Sequence, residues 1–208
     1  TPTHSYMRML YKYPQAEYPY ERLVQESAAR HGSGTEFELL DSGIFDDNRY
    51  FDIVVEHAKA DEEDIIVRIE AFNRGPEDAE LHVIPQLWFR NTWAWGPVRK
   101  PQPRIAMGEG STRHLTVVAD DEKAEPPTNL TFEYRLGRRY LYAPAEGTPL
   151  FTDNETNGPV VYGAGAESAS RFVKDAFHRQ IVNGEDAVNP ERFGTKCGVH
   201  YREVVPAG

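Results

Sequence analysis

Residues 50–72 read YFDIVVEHAKADEEDIIVRIEAF, and this stretch decides the fold class. The runs 50–57 and 65–72 are rich in β-branched and aromatic residues, and the charged segment AKADEED joins them as a hairpin connection. Ile65, Val67 and Ile69 alternate with Ile66, Arg68 and Glu70, which is the period of a strand and predicts one consistently apolar face. Asn73-Arg74-Gly75-Pro76 supplies the next turn.

Working outward, the segment 3–13 alternates Met7, Met9 and Tyr11 with Arg8, Leu10 and Lys12, and Pro14 and Pro19 break it. Strands are predicted at 37–40, 81–88, 113–119 and 197–205, with shorter ones at 130–135, 139–143 and 159–163. Residues 20–31 read as a helix with Leu23, Val24 and Ala28 on one face, stopped at Gly32 and Gly34. The segment 168–182 fits helical spacing, closed by Asn183-Gly184, or an irregular β segment, with helix preferred. The segment 120–128 is polar and Pro-rich, an exposed loop. Many strands linked by short turns favour a mainly β fold, an antiparallel sandwich of two large sheets with one or two short helices, in a single domain over 1–208.

The 208 residues carry 33 acidic against 23 basic side chains, a net charge of −10, which disfavours nucleic acid and anionic membrane as partners. No apolar run approaches the ~20 residues of a membrane span. A single cysteine, Cys197, excludes an intramolecular disulfide and a multi-cysteine zinc site. The seven histidines are scattered, so neither a metal nor a cofactor is expected. The termini, Thr1-Pro2-Thr3 and Val204-Val205-Pro206-Ala207-Gly208, read as cuts through a longer protein.

Candidate chemistry concentrates in three segments. WFRNTWAWG at 88–96 holds all three tryptophans, and Trp88, Arg90, Asn91, Trp93 and Trp95 are candidates for a sugar-facing edge or a domain interface. The blander reading turns Trp93 and Trp95 into the core at a strand end. FTDNETNG at 151–158 offers Asp153, Asn154, Glu155 and Asn157 to a polyol, or to the hydrogen bonds of a turn. In KDAFH at 174–178, Lys174 and His178 would share a helical face beside Asp175, as a general acid or base or as a surface ion pair. Asp52 and Glu56 share one strand face, where a solvated surface explains them. Cys197 reads as a small core residue, although Lys196 beside it would favour a thiolate. The triplets at 129–131 and 154–156 match the glycosylation pattern and carry no weight.

The order of motifs adds more than any one of them. THSYMRMLYKYPQ, ELLDSGIFDDNRYFDI, LWFRNTWAWG, FTDNETN, KDAFH and NPERFGTK follow one another along residues 1–206. In that order the chain resembles the amino-terminal region of bacterial glucosidase-like proteins related to glycoside hydrolase family 63, the mannosyl-oligosaccharide glucosidase family. The resemblance implies a sandwich of the supersandwich type, incomplete here, preceding a catalytic (α/α)6 toroid that inverts α-glucosides. It implies no catalytic residue in this chain. The expected partners are the parent's catalytic domain and, through it, an oligosaccharide. The expected compartment is the bacterial cytoplasm. Open sheet edges would promote self-association. Three functions follow as expectations: a non-catalytic domain that supports and shapes the active site, an autonomous carbohydrate-binding module, and an autonomous epimerase or lyase on a related sandwich.

Overall fold

The computed structural model describes residues 1–30, 34–126 and 131–208. The fold is mainly β, with 35% strand against 15% helix and three antiparallel sheets. The chain forms two compact units, residues 1–81 with 203–208 and residues 82–202.

In the first unit, β1 (Tyr6–Pro14), β2 (Tyr50–Lys59) and β3 (Ile65–Asn73) form one sheet in the order β1-β2-β3. The hairpin is the one expected, with Phe51 opposite Asn73 and Lys59 opposite Ile65. Asp61 Oδ1 closes its turn by accepting the backbone N–H groups of Glu63 and Asp64 at 2.8 and 2.9 Å. The connection between β1 and β2 holds α1 (Tyr20–Arg30) and two 3-10 turns, Leu39–Ser42 and Asp46–Asn48. The strand expected at 37–40 is therefore corrected. Asp41 bonds back to the Glu38 N–H at 2.8 Å, and Gly43 ends the turn at φ 72°, a local closure that outcompetes extension. Gly32, the expected stop of α1, lies outside the described residues.

Phe51, Val54 and Leu81 are buried, and Asn73 anchors the turn beyond β3. Its Nδ2 donates to the carbonyls of Glu77 and Val205, while its Oδ1 accepts from Gln15 Nε2 and the Gly75 N–H. On the expected apolar face of β3, Ile65 and Val67 stand in solvent, as do Met7, Met9 and Tyr11 on the same face of β1; Ile66 and Leu10, on the opposite face, are exposed too.

The second unit packs two sheets on one core. One sheet orders β10 (Phe193–Gly194), β6 (Arg104–Met107), β7 (His114–Asp120) and β8 (Arg138–Pro144) side by side. The other is built on β11 (Lys196–Val205), which pairs with β4 (Ala79–Val83), β5 (Gln86–Trp88) and β9 (Thr148–Thr152). The chain passes between the units within β4 and β11. Ile105, Leu115, Val117, Ala119 and Ala143 meet Phe151, Cys197 and Val199 in the core between the sheets.

The expected strand 81–88 is split. Pro85 has no N–H for a ladder, and its carbonyl instead accepts Val199 N at 3.0 Å. The strand expected at 159–163 is a short helix, α2 (Gly158–Tyr162), with Pro159 in its first turn, where the missing N–H costs nothing. Helix α3 (Ala176–Asn183) ends at Gly184 with φ 68°, as the Asn-Gly pair implies, but starts well inside 168–182. Residue 130 of the expected strand 130–135 and part of the 120–128 loop lie outside the described residues, and 131–135 is not a strand.

Candidate functional site

The strand order brings two of the three candidate segments together. Lys196 on β11 pairs with Trp88 of β5 and with Thr152 of β9. The loops leaving β5 and β9 therefore start on either side of one residue. Phe89 N donates to Thr195 O at 3.1 Å, and Asn154 N donates to Thr195 Oγ1 at 2.8 Å, which ties both loops to the start of β11. Asn154 Nδ2 then crosses to Phe89 O at 2.9 Å, and Asn91 Nδ2 returns to Asn154 O at 2.9 Å.

Glu155 is the hub of this contact. It is buried, and its carboxylate accepts Trp93 Nε1 at 2.7 Å, Asn91 Nδ2 at 3.0 Å and the Arg99 guanidinium. Arg99 carries no signal in the sequence, because no pattern links position 99 to position 155. With three donors on it, Glu155 is a structural acceptor that fixes one loop on the other. Proton transfer through it would dismantle the joint.

The tryptophans divide. Trp93 is 2% exposed, whereas Trp88 and Trp95 are each 56% exposed. The core placement of Trp93 holds and that of Trp95 is corrected. Its loop turns at Gly96, φ 99°, and Trp95 stays outside with the Arg90 guanidinium 5.0 Å from its ring centroid. Trp95 lines a groove of about 750 Å³ with Phe89, Lys100, Asp121, Tyr134 and Arg135. That volume suits a small ligand or a short stretch of an oligomer.

Asp153 serves the same framework, since its Oδ1 accepts Thr195 N at 3.1 Å and its Oδ2 accepts Ser170 Oγ at 2.7 Å. Asn157 Nδ2 donates to Asp175 Oδ2 at 2.8 Å, and Asp175 Oδ1 is buried without a partner among the described residues. The reading of Lys174 and His178 on one helical face is corrected. Lys174 precedes α3, its backbone N–H is spent on Glu155 O at 3.0 Å, and His178 stands exposed on the helix.

The other titratable candidates are also structural. Asp52 is not solvated; Lys12 Nζ and Arg74 Nε each donate to it at 2.8 Å. The Lys12 ammonium, and after it Arg74, hold its carboxyl below the usual range against the opposing effect of burial. Glu56, on the same face, takes the Tyr6 hydroxyl and lies within ion-pair range of Arg8 and Arg68. Cys197 is fully buried and its thiol is pushed up to about 12. Lys196 does not activate it, because neighbours on a strand point to opposite faces. Burial, then the charge of Lys174, lowers Lys196.

One pairing had no signal in the sequence. His82 of β4 and His200 of β11 stack at 9° with ring centroids 5.0 Å apart, and Nδ1 of the first is 2.8 Å from Nε2 of the second. A sequence separation of 118 hides the pair from any spacing rule. Among the described residues no group of three or more His, Cys, Asp or Glu side chains could hold a metal ion, and no helix is long and apolar enough to cross a membrane.

No family model matches the chain, and no solved structure matches it. It is similar to the uncharacterized protein YMR196W of Saccharomyces cerevisiae, with 35% identity over 240 aligned positions that cover 100% of this chain and 21% of the relative. The chain thus spans about a fifth of the length of the curated relative it matches.

Proposed function

We propose that this chain acts as a non-catalytic β-sandwich domain of a glucosidase-type glycoside hydrolase, supporting the catalytic domain and lending it a wall. The observation that carries the supporting role is the apolar sheet face of the first unit. Met7, Met9 and Tyr11 of β1 and Ile65 and Val67 of β3 share that face by the register of the ladder, and all stand exposed. A contiguous patch of this kind marks a surface that another protein surface covers. The non-catalytic role is supported by Asp52, Glu56 and Glu155, whose carboxylates are all engaged by cations or N–H and O–H donors. The glycosidase class and the bacterial cytoplasm rest on the resemblance in motif order. In this reading the partner is the catalytic domain, and an oligosaccharide is reached through it. The alternative, a carbohydrate-binding module in its own right, is favoured by Trp95, exposed on its groove.

A side-by-side hydrolysis assay tests the proposal. This chain and the full-length yeast relative are run on α-glucosides and α-mannosides, with product anomers followed by NMR. Activity with inversion in the long protein and none in this chain is the expected result. Turnover by this chain alone would overturn the non-catalytic role, and inactivity of the long protein would overturn the glycosidase class.

A further inference from the structure

We propose that the open face of the β6-β7-β8 sheet is a second binding site, for a neutral oligosaccharide. Strand alternation sends Leu115, Val117 and Ala119 into the core, so His114, Thr116 and Val118 face the other way. The ladder sets Thr116 opposite Tyr142 and Val118 opposite Tyr140, with Ala106 of β6 on the other side of Val118. At Gly108 a Cβ would fall 2.7 Å from Val118 Cγ2 and 3.3 Å from Thr116 Cγ2, so small residues keep the floor low. The tyrosines rise beside it, and the resulting cavity measures about 460 Å³.

Its chemistry is specific. Tyr140 and Tyr142 are 52% and 63% exposed, and their rings lie within 11° of parallel with centroids 6.1 Å apart. Rings aligned in this way suit a ligand with extended flat C–H faces, as pyranose units have. They do not box in a cation, which needs rings at steep angles to one another. His114 stands edge-on to Tyr142 at 81°, held by a hydrogen bond between Nδ1 and Ser111 Oγ. Its Nε2, with no hydrogen bond among the described residues, is open to a ligand.

Thr116, which lines the floor, is 4% exposed, and its Oγ1 has no hydrogen-bond partner among the described residues. Arg138 is paired with Asp120 through Nε and Nη2, at 3.2 and 3.1 Å, so a carboxylate already answers the charge it brings to the lining. Glu109, exposed at the rim, supplies an acceptor. Flat apolar faces, dispersed donors and acceptors, and a cation already paired with a carboxylate together describe a polyol with C–H faces. The site does not depend on the supporting role proposed above.

Calorimetric titration of this chain with maltoheptaose, xylohexaose and mannohexaose tests it, with inorganic phosphate as the anionic probe. At least one sugar is expected to bind and phosphate is not. Tyr140→Ala and Tyr142→Ala, both at exposed positions, are each expected to weaken binding about tenfold. No sugar binding at millimolar concentration, or a loss carried by Trp95→Ala in place of the tyrosine variants, would overturn the assignment.

Discussion

Replacing Glu155 by alanine removes the acceptor on which the two loops meet. Trp93, 2% exposed, then keeps a buried indole N–H with no partner, which costs about 1–3 kcal/mol. The bond from Asn91 adds about 1 kcal/mol. Arg99 adds little, because its side chain is 42% exposed and water replaces the carboxylate. The sum is about 3 kcal/mol, whereas Glu155→Gln keeps one oxygen for the indole and costs about half of that. All three tryptophans lie within residues 82–202, so their fluorescence during urea unfolding reports that unit. With an m-value of about 2 kcal/mol/M, the alanine midpoint falls by roughly 1.5 M. In a double-mutant cycle with Trp93→Phe the two losses are sub-additive, because both remove one bond. A loss below about 0.5 kcal/mol, the size of an ordinary surface change, would refute the hub role of Glu155.

Four further outcomes follow from other residues. Asp52 has a depressed folded pKa, so its stabilising effect is complete above the unfolded value of about 3.9 and fades as pH falls toward the folded one. Asp52→Asn should therefore flatten the acid limb of a circular-dichroism pH titration of unfolding. The folded pKa of His200 is lowered by burial, then by His82 and Arg202. The unfolded chain thus binds the extra proton, and stability drops as pH falls below about 6.5; His200→Gln should remove that slope from melting temperatures measured across the range. Cys197, fully buried, should resist a thiol reagent at mildly alkaline pH until urea unfolds the chain, and prompt labelling of the native protein would contradict its core position. Met9→Lys combined with Ile66→Lys should leave the melting temperature nearly unchanged, since both side chains are exposed, while shifting light-scattering mass toward monomer.

The hairpin of β2 and β3 is legible in the sequence because alternation and turn chemistry agree there. The Asn183-Gly184 helix end is legible for the same reason. Local chemistry misleads where it is subtle. Leu39 and Leu40 look like a strand until the reciprocal bond between Glu38 and Asp41 closes a 3-10 turn, and Val160 and Val161 look like a strand until Pro159 starts a helix. Strands β6 and β9 are missed because four or five residues carry too little periodicity.

At the site, the two segments rich in Trp, Asn and Asp can each be read from composition. Their meeting cannot, because it depends on β5 and β9 flanking β11. The same is true of Arg99 on Glu155 and of His82 on His200, pairs set by long-range topology. Tyr140 and Tyr142 are visible as a strand, but only the ladder to Thr116 and Val118 turns them into one side of a cavity.

The supporting role stands most directly on the exposed strands of the first unit. Amide hydrogen exchange would be compared between the full-length yeast relative and its excised matching region. The expected result is strong protection of the segments aligned with β1 and β3 in the long protein, and fast exchange of the same segments in the excised region. Equal exchange in both would mean that no partner surface covers that face, and would contradict the proposed function.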